Sequence, residues 1–137
     1  MKWNLQDTTA IVNEYKKRIK KEYLPARGYG RASSRESKKV LSEFKKVAVY
    51  KKDIIDLILY RVEIMIEYTS TYGDIDEAFY NSLENSFYDA CKMIHNEKLE
   101  SEYSIYCLEL VNKTDYMGWG LHDGLLHYYT EFIGETR

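Results

Sequence analysis

The chain has 137 residues, a usual length for one domain with its own core, and we treat 1–137 as a single domain. Its 45% hydrophobic and 31% charged residues exclude a disordered chain, and one proline and seven glycines are too few for a turn-rich all-β fold. The net charge of −2 conceals a polarity. Residues 1–52 carry fifteen Lys or Arg against five acidic residues, whereas residues 53–137 carry five against seventeen.

Helical spacing of apolar residues predicts six helices in chain order. Candidate N-caps, a proline after the first helix and Gly73 after the third mark where helices begin and end. The predicted helices cover about 8–22, 34–48, 52–72, 75–96, 99–113 and 121–133. Since the connections are short, we expect an all-α fold of antiparallel hairpins, as a bundle or a short helical-repeat-like array.

The third predicted helix is apolar over most of its circumference, which is typical of a central helix. Its middle side chains should be buried: Leu57, Ile58, Val62 and Met65. Its acidic side chains follow one line: Asp53, Asp56, Glu63 and Glu67. Because neighbouring like charges repel, a cation should lie nearby. The basic faces of the first two helices are the expected source, and the alternatives are a basic partner or a metal on Glu63 and Glu67.

Two cysteines, Cys91 and Cys107, occur outside any C-x-x-C or zinc-finger spacing, so we predict no structural metal site. The sequence contains no run of eighteen apolar residues, so it predicts no membrane span. It also shows no N-terminal basic region followed by an apolar stretch, the pattern of a secretory signal. We therefore expect a cytoplasmic protein with free thiols and no membrane contact. Phosphate- and dinucleotide-binding glycine motifs are also missing, and no cofactor is expected.

Several stretches are similar to a known family. Residues 67–82 read EYTSTYGDIDEAFYNS and residues 118–123 read GWGLHD, with YKKRI at 15–19 and SEFKK at 42–46. Together they resemble an uncharacterised bacterial family of small helical proteins, a domain of unknown function, over most of the chain from about residue 13. The resemblance implies a helical fold and carries no assigned activity.

The basic half contains a candidate phosphate-binding surface. Arg and Tyr alternate with Gly between the first two helices, a composition that suits contact with phosphates and stacking on a base. The candidate residues are Arg27, Tyr29, Arg31, Lys38 and Lys39. Against this interpretation, lysine-rich solvent faces are ordinary on helices, and the acidic half would repel a phosphate backbone. A nucleic-acid-binding accessory protein is therefore the alternative function rather than the favoured one.

A second set of polar residues predicts a pocket if the protein is an enzyme. The candidate residues are Glu63, Glu67, Tyr72, Asp74, Trp119, His122 and Asp123. A histidine beside a carboxylate can act as a general base, but such a histidine is more often a hydrogen-bonded core residue. Asp74 is explained by N-capping of the fourth helix. No nucleophile motif is present, and no catalytic residue is assigned.

The favoured function is a non-enzymatic binding or protein-interaction module. Its partner is an unknown protein or a second copy of the chain. Nucleic-acid binding through the basic half is the first alternative, and an enzyme with a Glu/His/Asp pocket is the second.

Overall fold

A computed structural model describes residues 8–23, 35–72, 77–117 and 120–134, without the side chains of residues 71 and 72. These residues form six α-helices and a final π-helical turn, and they contain no strand. The helices are α1 (Thr9–Lys21), α2 (Arg35–Val47), α3 (Lys51–Tyr72), α4 (Glu77–Asn96), α5 (Glu100–Lys113) and α6 (Leu121–Tyr129), and the π-helical turn is Thr130–Gly134. The all-α prediction is confirmed. The first five helices end within two residues of the predicted positions, whereas α6 ends at Tyr129 and the π-helical turn continues to Gly134.

Helix α3 lies at the centre of the fold. It packs against α1, α2, α4 and α5, while α6 packs against α4 and α5. The four side chains expected to be buried on α3 are fully buried: Leu57, Ile58, Val62 and Met65. The apolar circumference of α3 is thus explained by the neighbours that cover it on several sides. No helix in the described part of the chain is long and apolar enough to cross a membrane.

The described helix ends use the backbone more than side-chain caps. Thr8 precedes α1 as predicted, but its hydroxyl donates to the Asp53 carboxylate on α3 instead of capping its own helix. After α4, Lys98 adopts φ 59°, and the Leu99 N–H donates to the Ile94 carbonyl at 2.9 Å. This is a Schellman-type helix end, a position where glycine is usual. Gly73 and Asp74, which mark the predicted end of the third helix and start of the fourth, lie outside the described residues.

Two carboxylates of the acidic line, Asp56 and Glu63, contact side chains of α5, so the expected pairing with the basic faces of α1 and α2 is wrong for these two. The Tyr103 hydroxyl donates to Asp56, and the Tyr106 hydroxyl donates to Glu63 at 2.6 Å. Lys113 adds an ion pair with Glu63 at 3.3 Å. The error arose because tyrosine hydroxyls satisfy a carboxylate without carrying a charge, and the sequence does not show which helix packs there.

Candidate anion-binding site

A charged residue lies in the middle of the apolar face of α3. Arg61 follows Ile58 by three residues and precedes Met65 by four, so all three side chains share one side of the helix. Only 1% of Arg61 is exposed to solvent. Burying a charge costs several kcal/mol unless polar groups surround it, so the neighbours of Arg61 are informative.

Three serine hydroxyls receive hydrogen bonds from the Arg61 guanidinium. Its Nε donates to Ser37 Oγ on α2 at 2.8 Å. On α4, its Nη1 donates to Ser86 Oγ at 2.6 Å and its Nη2 to Ser82 Oγ at 2.8 Å. Ser82 and Ser86 are one turn apart and therefore face the same side of α4. Arg61 thus connects the two helices that flank α3.

The end of α1 completes this polar network. The hydroxyl oxygens of Tyr23 and Ser37 lie 2.8 Å apart, and the Ser37 backbone N–H donates to the buried Glu22 carboxylate at 2.9 Å. Burial lowers the pKa of Arg61, and the neighbouring Tyr23 and Glu22 act in the opposite direction. A guanidinium stays protonated in proteins even so. In the described residues no buried side-chain nitrogen or oxygen lacks a hydrogen-bond partner, so the buried cation is well solvated by the protein.

A groove opens beside Arg61 because α2 and α4 both pack against α3 but, within the described residues, not against each other. The groove holds a cavity of about 280 Å³. Its lining comes from three helices: Lys38, Leu41, Ser42 and Lys45 on α2, Arg61 on α3, and Ser82, Asn85, Ser86 and Asp89 on α4. Ligand cavities usually measure about 300–1,000 Å³, so this one suits a small ligand or one end of a larger ligand.

The chemistry of the lining suits an oxyanion. A serine hydroxyl that accepts a hydrogen bond from a guanidinium keeps its own hydrogen for donation. Ser82, Ser86 and Arg61 all line the cavity, so an oxyanion there could accept hydrogen bonds from the two serine hydroxyls beside the Arg61 charge. Lys38 and Lys45 are exposed on the α2 side and add two ammonium groups. Asp89 supplies one negative charge, so the lining as described carries a net charge of +2.

The candidate phosphate-binding residues fall partly on this groove. Lys38 lines the cavity, whereas Lys39 is exposed on the neighbouring face of α2 and does not belong to the described lining. Arg27, Tyr29 and Arg31 lie outside the described residues, and their role stays a prediction.

The described residues of the candidate enzymatic pocket are spread over two helices, α3 and α6. Glu63 and Glu67 are on α3, and α3 packs against α5; His122 and Asp123 are on α6, which packs against α4 and α5. Among the described residues, α3 and α6 are not packed against each other. The Tyr72 side chain, Asp74 and Trp119 lie outside the described part, so the pocket as a whole stays a prediction.

His122 has structural partners at the end of α5. Its Nδ1 lies 3.1 Å from the Val111 carbonyl oxygen and 3.3 Å from the Thr114 hydroxyl. The same Val111 carbonyl also accepts the Thr114 N–H at 3.0 Å and the Thr114 hydroxyl at 2.7 Å, so His122 joins an existing hydrogen-bonded helix end. His122 is half-buried there. In the described part of the chain, no three His, Cys, Asp or Glu side chains are grouped closely enough to hold a metal ion.

Sequence reasoning missed Arg61 and its serine partners, although a signal existed. At 100° per residue Arg61 falls between the apolar positions of α3, where a charge requires an explanation. The spacing of Ser82 and Ser86 placed two small hydroxyls on one face of α4. Only the packing of α2 and α4 on α3 brings these groups together.

The comparisons with known proteins name no activity. No curated protein and no solved structure gives a significant match to this chain. A family model, described as a family of unknown function, matches residues 3–132. This match covers nearly the whole sequence and confirms the resemblance to a family without an assigned activity. The chain belongs to the DUF6155 family, a family of unknown function.

Proposed function

We propose that this protein is a non-enzymatic binding module, and that its ligand is a small oxyanion of the phosphate type held between α2 and α4. The observation that supports the proposal most strongly is the position of Arg61. Arg61 is 1% exposed, its guanidinium donates to Ser82 and Ser86, and both serines line the cavity. The groove thus combines a buried cation, hydroxyl donors and two lysines, the groups that bind phosphate in proteins.

Charge repulsion gives a second reason. Arg61, Lys38 and Lys45 border one small cavity, and like charges that share a cavity repel each other. Glu22 lies on the α1 side of the network, and Asp89 is exposed at the rim. An anion in the cavity would offset the remaining positive charge.

The test is calorimetric titration of the full chain with inorganic phosphate. Lys45→Ala should weaken binding about tenfold or more, because a charge-assisted hydrogen bond is worth about 1.5–3 kcal/mol. Lys17→Ala is the matched control, since Lys17 is an exposed lysine of α1 outside the groove. Equal losses in both variants, or no saturable binding to the wild-type protein, would contradict the proposal.

A second candidate function is self-association through α5. Ile105 is 74% exposed and Leu108 is 38% exposed, and the two side chains are one turn apart. Adjacent exposed apolar residues are typical of protein contacts. Sedimentation of the wild type and of Ile105→Glu tests this candidate. A concentration-dependent dimer that the substitution abolishes supports it, and a wild-type monomer at all concentrations rejects it.

We also propose that the protein works in the cytoplasm. Cys91 and Cys107 are both buried and free, which fits a reducing compartment.

A further inference from the structure

The described lining of the groove contains one carboxylate, that of Asp89 on α4. Asp89 follows Ser86 by three residues and Ser82 by seven, so the three side chains form one row along the helix. A negative charge repels an anion, so a carboxylate in an anion site lowers the affinity unless the ligand offers it a hydrogen bond. Binding of an oxyanion beside Asp89 therefore needs a reason for this carboxylate.

The lysines of the groove do not account for Asp89. Lys38 and Lys45 line the same cavity, yet within the described part of the chain the Asp89 side chain forms neither an ion pair nor a hydrogen bond. Asp89 is also exposed, so its two oxygens keep their acceptor capacity for water or for a ligand. The groove thus offers hydrogen-bond donors and a hydrogen-bond acceptor to the same ligand.

The donors and the acceptor are close enough to contact one small ligand. Residues three or four apart on a helix have Cβ atoms about 5–6 Å apart, and this spacing holds for Ser82 and Ser86 and for Ser86 and Asp89. The serine hydroxyls lie beside the buried Arg61 guanidinium, whereas Asp89 is one turn further along α4 and exposed. An anion beside Ser86 therefore has hydroxyl donors towards the inside of the groove and a carboxylate acceptor towards its rim.

Oxyanions of equal charge differ in whether they can donate a hydrogen bond. At pH 8, inorganic phosphate is mainly hydrogen phosphate, a dianion with three acceptor oxygens and one O–H donor. Sulfate and the dianion of a phosphate monoester have the same charge but no O–H group. An ionised carboxylate can only accept hydrogen bonds. Asp89 can therefore bind hydrogen phosphate through its proton, whereas it repels the other two anions.

We propose that the groove selects inorganic phosphate in a protonated form, hydrogen phosphate, and that Asp89 determines this selectivity. Ser82 and Ser86 donate to unprotonated oxygens of the ligand, and the ligand hydroxyl donates to the Asp89 carboxylate. This inference rests on the proposed function, because it assigns the groove to an oxyanion. It adds which oxyanion binds, and it names the residue that excludes sulfate and phosphate esters.

The experiment compares inorganic phosphate, sulfate and methyl phosphate by calorimetry of the full chain at pH 8 and constant ionic strength. Phosphate should bind about tenfold more tightly than either of the other ligands, the effect of one charge-assisted hydrogen bond. Asp89→Asn should reduce this preference to less than about threefold, because the amide can donate to an unprotonated oxygen. Glu109→Gln is the matched control, since Glu109 is an exposed carboxylate of α5 outside the described lining, and it should leave the preference unchanged.

The ratio of the affinities separates this role of Asp89 from a general effect of its charge. If Asp89→Asn strengthened the binding of all three ligands equally, Asp89 would act through its charge alone and the inference would be overturned. Phosphate binding that depends on Lys45, together with sulfate binding of equal strength, would overturn the inference and leave the proposed function standing. Methyl phosphate that binds as tightly as phosphate would also overturn it. If none of the three ligands binds, the proposed function fails as well.

Discussion

The Nη2 of Arg61 lies 2.8 Å from the hydroxyl oxygen of Ser82, which connects the central helix α3 to α4 at the base of the groove. The same guanidinium reaches Ser37 on α2, so one buried side chain fixes the positions of both walls. The groove between α2 and α4 therefore depends on a residue that is also part of the core. The proposed anion binding would therefore be coupled to stability at Arg61, and residues such as Lys45, which border the cavity from the surface, allow the two to be tested separately.

We expect Arg61→Met to lower the free energy of unfolding by about 3–5 kcal/mol, because the substitution removes one partner from a buried polar network. The serine hydroxyls and the buried Glu22 would lose the cation that they surround. Urea unfolding followed by circular dichroism measures the effect. Lys17→Met, at an exposed position of α1, is the control and should change the free energy of unfolding by less than about 0.5 kcal/mol. A loss below about 1 kcal/mol in Arg61→Met would show that the network contributes little.

Ile58→Ala tests the position of α3 in the core. Ile58 is fully buried, so truncation should cost about 2–5 kcal/mol through lost burial and the cavity left behind. Ile105 is 74% exposed, and Ile105→Ala should change stability by less than about 0.5 kcal/mol. Both values come from the same unfolding experiment. Equal costs for the two variants would contradict the assigned burial.

Two tyrosines on α5 should make the protein sensitive to alkaline pH. Burial and the hydrogen bond to a carboxylate raise the pKa of Tyr103 and Tyr106, whose partners are Asp56 and Glu63. A tyrosine in the unfolded chain loses its proton near pH 10 while the folded one keeps it. Stability from these residues is complete below about pH 10, and it should fall above that value by about 1.4 kcal/mol per pH unit for each tyrosine.

Urea unfolding between pH 8 and pH 11 measures this dependence. Tyr103→Phe/Tyr106→Phe is the informative variant, because phenylalanine has no proton to lose. Its free energy of unfolding should be lower than that of the wild type at pH 8 and should decline less steeply above pH 10. Identical slopes for the two proteins would show that these hydroxyls titrate equally in the folded and unfolded states.

Lys98 offers a stabilising substitution. It adopts the left-handed φ of 59° at the end of α4, and a side chain with a Cβ costs about 1–2 kcal/mol in this conformation. Lys98→Gly should therefore raise the free energy of unfolding by about 0.5–1 kcal/mol after the greater entropy of glycine in the unfolded chain is subtracted. Lys98→Ala is the matched control, since it removes the charge but keeps the Cβ. A gain of the same size in Lys98→Ala would point to charge rather than backbone strain.

Much of the fold could be predicted because its signals are local. Helical spacing and helix-end residues located all six helices, and the apolar circumference of α3 identified Ile58 and Met65 as core residues. Such patterns depend on neighbours within about one or two turns, which the sequence contains directly.

The site could not be predicted in the same way, because its contacts join distant segments. Ser37, Arg61 and Ser82 belong to three different helices, and only tertiary packing brings their side chains together. The same limit explains the error at Asp56, whose partner Tyr103 lies 47 residues further along the chain. A sequence pattern shows that a buried charge needs partners, but it does not show which helix supplies them.

The most direct test of the central claim is a crystal structure of the protein grown or soaked with phosphate. We expect a phosphate between α2 and α4, with oxygens within hydrogen-bonding distance of the hydroxyls of Ser82 and Ser86 and with Lys38 or Lys45 closing over it. The hydrogen bonds from Arg61 to both serines should be retained. A groove that holds only water at saturating phosphate, or a phosphate bound elsewhere on the chain, would contradict the account.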